Sequence, residues 1–172
     1  MLSALVSRPG LADEWGWLPN FSGIIDNGTN ELFASGYAWH DPMTYMSTER
    51  AHLNPFSLGS GYARILENPG GSTEMLSAQL FADSYWQPQV AVQYTRYRSF
   101  TVVENLSAGL GFTAGLSRRE DTFHGLPEPI LLPVGVITIA NRIDIYATYI
   151  PPLSEFSNLR GDVAMIFAGV RF

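Results

Sequence analysis

The sequence contains no cysteine, and charged residues make up only 15% of its 172 positions. Without cysteine neither a disulfide bond nor a thiolate metal site can form, which suits an exported protein. The formal net charge is -6, and the sequence has no run of lysine or arginine. Such a chain lacks the basic surface that binds a phosphate backbone, so nucleic acid is excluded as a partner.

Long apolar runs and metal-binding motifs are also missing. No stretch reaches the roughly eighteen continuous apolar residues of a transmembrane helix, so this chain could span a bilayer only as a closed β-barrel. The three histidines do not stand in an HExxH or similar spacing, which argues against a metal site. We therefore expect neither a metal nor a cofactor.

Apolar and aromatic residues are abundant. Hydrophobic residues make up 46% and aromatic residues 13% of the chain, too apolar for disorder and typical of a surface that faces lipid. The length fits one domain. We divide the chain into a signal-peptide remnant or disordered start (1–12), an N-terminal amphipathic segment (13–30) and an outer-membrane β-barrel (31–172). Gly16 and Pro19 leave the second segment open between an interfacial helix and an irregular arm.

A period of two, typical of barrel strands, is clear around residues 76–83. One face of this stretch is apolar and the other is mixed: Leu76, Ala78, Leu80 and Ala82 against Ser77, Gln79, Phe81 and Asp83. We expect the apolar face to meet lipid and the mixed face to line the interior. Residues 89–99, 143–150 and 164–172 alternate in the same way.

The stretch that ends at His40 also alternates. Its two faces are Phe33, Tyr37 and Trp39 on one side and Leu32, Ala34, Gly36, Ala38 and His40 on the other. If the aromatic face meets lipid, His40 points into the barrel.

Residues 106–117 carry the clearest alternation, because every second residue is small. If the large residues face lipid, the barrel interior beside this strand is nearly bare and a cavity remains there. The alternative is that bulky side chains from opposite strands fill the space, and the pattern alone leaves both open. Residues 130–140 are apolar on both faces, which favours a hydrocarbon pocket over a water channel.

The side chains that could carry chemistry are few. There is no GxSxG motif and no glycine-rich phosphate loop, which leaves His40, Asp83 and Ser84. An imidazole base, a hydroxyl and a carboxylate are the groups that acyl transfer needs. On composition alone the structural interpretation is the stronger, because Asp-Ser is a common turn pair and a single histidine is usually structural. His52 and His124 lie in loop-like stretches and are interpreted as structural.

Five motifs change that balance, because they resemble the lipid A palmitoyltransferases of Gram-negative outer membranes, the PagP family. They follow the family's order and similar spacings: Ala38-Trp39-His40, Phe81-Ala82-Asp83-Ser84, Gly109-Leu110-Gly111-Phe112-Thr113-Ala114-Gly115, Leu131-Leu132-Pro133 and Thr148-Tyr149-Ile150-Pro151. The resemblance runs from Ala12 to Phe172. It implies an all-β fold, an eight-stranded antiparallel transmembrane β-barrel with a short N-terminal amphipathic helix or arm.

The resemblance also implies an activity. An acyl chain, palmitoyl or somewhat shorter, would move from a phospholipid donor to a hydroxyacyl chain of the acceptor, lipid A, in the outer membrane. His40, Asp83 and Ser84 match the family's essential residues at the outward-facing rim. In this interpretation His40 is the general base, Asp83 its electrostatic partner and Ser84 an assisting hydroxyl. We expect a monomer surrounded by outer-membrane lipids.

The resemblance has two further implications, which concern the prolines and the floor of the acyl pocket. In the family, prolines interrupt strand pairing to open lateral gates for lipid, consistent with proline's missing N–H. Pro133 and Pro151 match one gate and Pro55 one side of the other, whose partner proline is replaced by Ser35. A family glycine that forms the floor of the acyl pocket falls near Ala91 or Gln93, which predicts a shorter acyl chain.

Two further sets complete the predicted site. The predicted lining of the acyl pocket is Ala91, Gln93, Gly109, Gly111 and Thr113. Arg118 and Arg119 are predicted to contact anionic headgroups, with ordinary solvation as the alternative. Two other functions are weighed: a non-catalytic barrel with a structural or adhesive role, and a soluble lipocalin-like binder. The latter would need a polar exterior that the outward Leu, Phe and Val residues do not supply.

Overall fold

The computed structural model describes residues 18–119, 125–151 and 162–172, except for the side chain of Ser35. The predicted start at 1–12 lies outside these residues, and the predicted segment 13–30 is described only from Leu18 onward. In the described ranges, no helix has the length and apolar character needed to cross a membrane.

The described residues form an antiparallel sheet that closes on itself. The strands are β1 (Thr29–His40), β2 (Phe56–Ser57), β3 (Gly59–Glu67), β4 (Ser72–Ala82), β5 (Pro88–Val103), β6 (Leu106–Arg118), β7 (Glu128–Ile139), β8 (Ile143–Ile150) and β9 (Val163–Arg171). Strands that are adjacent in the order β2-β1-β3-β4-β5-β6-β7-β8-β9 pair with each other, and β9 also pairs with β1. Because β2 and β3 both pair with β1 and only Leu58 separates them, they form one wall strand. The predicted eight-stranded antiparallel barrel is confirmed.

The two ends of the barrel differ in the length of their connections. Short turns join β3 to β4, β5 to β6 and β7 to β8, and Asn105, Ala140 and Asn141 take positive φ angles there. At the opposite end, the connections 41–55, 119–127 and 151–162 are long. Outer-membrane barrels have short periplasmic turns and longer extracellular loops, so the long-loop end corresponds to the outer face.

Side chains alternate between the interior and an apolar exterior. On β6 the buried positions fall among the small residues, at Gly109, Thr113 and Ser117, whereas Leu110, Phe112 and Leu116 are exposed. The alternation predicted for β4 is also found, since Ser77, Gln79 and Phe81 are buried. Further large apolar side chains on the outside include Leu80, Val92, Leu131, Ile137, Ile166 and Val170. Such a surface is suited to hydrocarbon.

Strand β1 departs from the predicted alternation. Phe33 is 5% exposed and Leu32 is 53% exposed, so the prediction that Phe33 shares a lipid-facing side with Tyr37 and Trp39 is wrong. The cause is a β-bulge, because the pairing of β1 with β9 shifts by one residue between Ala34 and Tyr37. One extra residue turns the following side chains to the opposite face. Beyond the bulge Tyr37 and Trp39 face outward, and His40 points inward as predicted.

Helix α1 (Phe21–Asn27) lies against the outside of the barrel. Asn20 caps it by accepting a hydrogen bond from the Gly23 amide (3.0 Å), and Ile24 is fully buried. Two barrel residues hold its ends: Glu74 accepts from the Asn20 amide (2.9 Å), and Arg64 donates to the Ile25 carbonyl (2.8 Å). A second helix, α2 (Ser47–Arg50), forms one turn in the long loop after β1.

A cluster of charged and hydroxyl groups, which we call the floor network, fills the short-turn end of the barrel; its Glu31, Asp144 and Arg171 are buried, whereas Glu67 is 65% exposed. Arg171 on the closing strand pairs with Asp144 through two nitrogens and with Glu67 (2.5 Å). Tyr146 donates to Glu31 (2.9 Å). An apolar layer that includes Phe33, Met75, Val134 and Val136 lies above it. The floor network therefore closes the base of the barrel.

Replacing Arg171 with Met should destabilise the barrel by about 3 kcal/mol, because it leaves the buried Asp144 carboxylate without its cation. The free energy of unfolding can be measured in detergent micelles from denaturant titrations followed by circular dichroism. Arg142→Met, at an exposed position of the same barrel end, is the control and should change it little. Equal stability of both variants would contradict a stabilising role for the floor network.

Candidate active site

His40 and Ser84 meet at the long-loop end. His40 is the last residue of β1 and Ser84 follows β4, and the bulge in β1 turns the imidazole toward the interior. The His40 Nε2 atom lies 2.9 Å from Ser84 Oγ. The Tyr45 ring packs edge-on against the imidazole, with ring centres 5.2 Å apart. A base and a hydroxyl in contact are the minimum arrangement for activating an oxygen nucleophile.

Ser84 lies in the turn 83–87, which joins β4 to β5. The turn is closed by hydrogen bonds from the Asp83 amide to the Gln87 carbonyl (2.8 Å) and from the Trp86 amide to the Asp83 carbonyl (3.1 Å). The Asp83 Oδ1 atom accepts from the amides of Tyr85 and Gln87, both at 2.8 Å. The side chain of Asp83 therefore organises the turn that carries Ser84.

The second carboxylate oxygen of Asp83 forms an ion pair with Arg119. Asp83 Oδ2 lies 3.2 Å from Arg119 Nη2, and the two side chains are only 2% and 12% exposed. The hydrogen bond of His40 goes to Ser84 instead. This arrangement differs from the predicted pairing of Asp83 with His40. The reason is the direction of the turn, which aims the carboxylate at its own amides and at Arg119.

A cavity of about 220 Å³ opens at this end and runs into the barrel. His40, Asp83, Ser84 and Arg119 lie at its mouth, and Phe33, Met75, Val134 and Tyr146 lie deeper among its walls. Three of the predicted lining residues, Ala91, Gln93 and Thr113, are in its wall. Most of the deeper wall is apolar, which is suited to a hydrocarbon chain.

Gly109 and Gly111 do not line this cavity, contrary to the prediction. A Cβ at Gly109 would lie 2.7 Å from Tyr97 Cδ2, and one at Gly111 would collide with the Arg96 carbonyl oxygen. Tyr97 is 2% exposed and fills the space that these glycines leave. At this depth the interior beside β6 is filled, but by a bulky side chain of the paired strand β5 and not by one from an opposite strand, as the alternative for β6 supposed.

The wall is incomplete where Pro133 and Pro151 were predicted to form a gate. The described pairing of β7 with β8 begins at Val134 and Thr148 and runs toward the short-turn end. Beyond it, toward the rim, the Thr148 hydroxyl donates to the Pro133 carbonyl (2.8 Å). Proline has no amide hydrogen to extend the ladder. A gap between β7 and β8 thus lies beside the cavity, although its use by lipid stays a prediction.

A second irregularity lies near Pro55. The Ala38 amide donates to the Pro55 carbonyl (2.7 Å), but proline cannot return the bond. Pairing of β1 is also interrupted between Phe33, opposite Gly61, and Gly36, opposite Ser57. The interruption adjoins Ser35, which the sequence resemblance predicted to stand in place of a second gate proline. A gate at Pro55 stays a prediction as well.

The remaining candidates occupy different surroundings. Arg118 is exposed and donates to the Gly125 carbonyl (2.8 Å), whereas Arg119 points into the cavity mouth. Headgroup contact by Arg118 and Arg119 stays a prediction. His52 is exposed in the loop after α2, and His124 lies outside the described residues. In the described ranges, no group of three or more His, Asp or Glu side chains could hold a metal ion.

Tyr45, which contacts His40 from the long loop after β1, was not predicted from the sequence. Arg119 was predicted only as a headgroup contact, and its ion pair with Asp83 at the barrel mouth was not predicted. The sequence contains a local signal only for the role of Asp83 in the turn, because an Asp at the start of a turn commonly accepts hydrogen bonds from amides farther along.

The closed barrel has a lipid-facing exterior and a His–Ser pair above an apolar cavity, which defines its class as an outer-membrane β-barrel. The comparisons identify the particular family. A family model described as "Antimicrobial peptide resistance and lipid A acylation protein PagP" matches residues 20–169, and the chain belongs to this family. It is an outer-membrane protein.

Two curated relatives agree with this assignment. "Lipid A acyltransferase PagP" of Legionella pneumophila strain Paris is 32% identical over 136 residues, covering 79% of this chain and 70% of the relative. The protein of the same name from Bordetella pertussis strain Tohama I is 29% identical over 128 residues, covering 74% and 70%. Among solved structures, Neisserial surface protein A has a TM-score of 0.48 at 12% identity, covering 84% of this chain and 96% of that one.

Replacing Gly111 with Ala should destabilise the barrel by about 2 kcal/mol, because the added methyl group overpacks the contact with Tyr97. Denaturant titration in micelles measures the change. The control is Gly70→Ala, where an added Cβ meets nothing within 4 Å. If Gly111→Ala were as stable as Gly70→Ala, residue 111 would face open space.

Proposed function

We propose that this protein transfers an acyl chain from a glycerophospholipid to a hydroxyacyl chain of lipid A. The observation that carries the proposal is the contact of His40 with Ser84 at the mouth of an apolar cavity on the outer face. Membership of a lipid A acylation family supports lipid A as the acceptor. A glycerophospholipid is the donor that we infer, because its acyl ester sits just above a long hydrocarbon tail.

The donor tail would lie in the cavity, with its ester at the level of His40 and Ser84. Each methylene group that leaves water stabilises the complex by about 0.8 kcal/mol, although a tail leaving a bilayer gains less. The cavity therefore contributes mainly by positioning the donor, since it fixes the depth at which the ester carbonyl lies beside His40. Holding the reacting groups together removes most of the entropic cost of the reaction.

Transfer then needs one proton to move. The lipid A hydroxyl attacks the ester carbonyl while His40 takes its proton, directly or through Ser84, and the imidazole returns the proton to the leaving glycerol oxygen. The products are acylated lipid A and a lysophospholipid. A route through an acyl-Ser84 intermediate uses the same pair, and the two routes differ only in whether Ser84 is acylated.

The wall gaps give each lipid a route to this point. The gap between β7 and β8 and the interruption near Pro55 lie in the half of the barrel that holds the cavity. A lipid could slide its tail through such a gap without leaving the membrane. Arg118, on the loop end of β6, is placed to meet an anionic headgroup. In the part of the chain that the structure describes, β9 closes the sheet onto β1 and leaves no terminal edge strand for a second copy to extend, which supports a monomer.

Replacing His40 with Ala should abolish the acyl chain added to lipid A, because no other described base contacts Ser84. Mass spectrometry of lipid A from cells with each variant gives the result, and the heat-modifiable gel shift reports the folded barrel. His52→Ala, at the exposed loop histidine, is the matched control and should retain the added mass. Absence of added mass with the unaltered protein would favour the non-catalytic barrel, and activity in His40→Ala would remove His40 from the mechanism.

Replacing Gln93 with Gly should shift the transferred chain to longer acyl groups. Gln93 lies opposite Gly115, which offers no side chain, and contributes to the cavity wall. Its removal deepens the space by about the length of one or two methylene groups. The purified protein in detergent, given phospholipids of defined chain lengths, provides the profile. Val92→Ala, on the lipid-facing side of the same strand, should leave it unchanged; the same profile for Gln93→Gly would exclude Gln93 as a length determinant.

A further inference from the structure

We propose that Arg119 is a positioning residue: through Asp83, it holds the turn 83–87 in the conformation that keeps Ser84 against His40. The inference rests on the proposed function, because it assigns a task within the same site. It differs from the predicted headgroup contact, since Arg119 would act on the protein instead of on a lipid.

Asp83 is the residue through which Arg119 would act on the turn. Its side chain is almost completely buried, and a buried carboxylate is stable only when charge and hydrogen bonds compensate for lost water. Arg119 supplies the charge from the end of β6, at 3.2 Å. The amides of Tyr85 and Gln87 supply hydrogen bonds to the other oxygen. One carboxylate thus joins the turn between β4 and β5 to the end of β6, the next strand in the wall.

The turn 83–87 has an unusual backbone conformation at Trp86. Trp86 has a φ angle of 65°, which a bulky side chain adopts only when its surroundings enforce it. The enforcing contacts are those made by Asp83, through its amide, its carbonyl and its carboxylate. Without Arg119 the buried carboxylate would lack its cation and would rotate toward water, and the turn would lose its organising group.

The turn 83–87 also sets the position of the Ser84 hydroxyl relative to His40. Ser84 is the second residue of the turn, and its carbonyl accepts from the Asn54 amide (2.7 Å). Its hydroxyl lies 2.9 Å from His40 Nε2. A small rotation of the turn therefore changes the distance between hydroxyl and imidazole before it changes the cavity. Misplacement of about 1 Å can lower a rate about 100-fold.

The experiment is a double-mutant cycle with Arg119→Gln, Asp83→Asn and the double variant, in detergent with a phospholipid donor and lipid A. Arg119→Gln should lower kcat about 10- to 100-fold and leave the apparent KM for phospholipid within about twofold. The double variant should be no less active than Asp83→Asn, because both changes remove one interaction. Arg119→Lys, which keeps the charge, should recover part of the loss. Arg142→Gln, at the short-turn end, should match the unaltered protein.

Multiplied effects in the double variant, or a raised KM with unchanged kcat, would overturn the proposal and indicate that Arg119 contacts substrate. A second readout separates this proposal from the acyltransferase function. In micelles, the amide resonances of Ser84, Tyr85 and Gln87 should shift in Arg119→Gln and Arg119→Lys but not in Arg142→Gln. Unshifted resonances would refute positioning even in an active protein, whereas shifted resonances would support it even if the unaltered protein transferred no acyl chain.

Discussion

In hydrocarbon, every backbone N–H and C=O group needs a partner within the protein, and this requirement governs the whole structure. The strands meet it by pairing with two neighbours and by closing β1 against β9. The interruptions, namely the bulge after Ala34 and the gaps beside Pro55 and Pro133, lie toward the long-loop end. Irregular backbone is thus concentrated around the contact of His40 with Ser84, where we propose that a lipid reaches the interior.

The period of two predicted the faces of most strands, because the pleat imposes that period wherever one side meets lipid and the other does not. It failed in β1, where a bulge adds one residue and the pattern of hydrophobic residues contains no sign of it. His40 was nevertheless placed correctly, since it lies beyond the bulge together with Tyr37 and Trp39. Phe33 lies before the bulge and was therefore assigned to the wrong face.

The alternation of apolar and small residues could predict neither how deep the cavity extends nor which charged residues pair across the sequence. A small residue on an inward face is consistent with a cavity or with a close neighbour, and the shear of the barrel decides between them. Thr113 therefore lines the cavity, while Gly111 on the same face packs against Tyr97. The ion pair of Asp83 with Arg119 and the pairing of Arg171 with Asp144 follow from strand register, which a single sequence does not reveal.

The positions of the charges are consistent with the proposed binding of a lipid tail in the cavity. At the short-turn end, Arg171 and Asp144 satisfy each other inside the wall, and the apolar layer around Phe33 and Met75 separates them from the cavity. At the other end, Asp83 and Arg119 neutralise each other at the mouth. An apolar space between two compensated charge pairs excludes water and ions but costs a hydrocarbon chain little. In the proposed function, a lipid would lie with its tail inward and its ester at the level of His40 and Ser84.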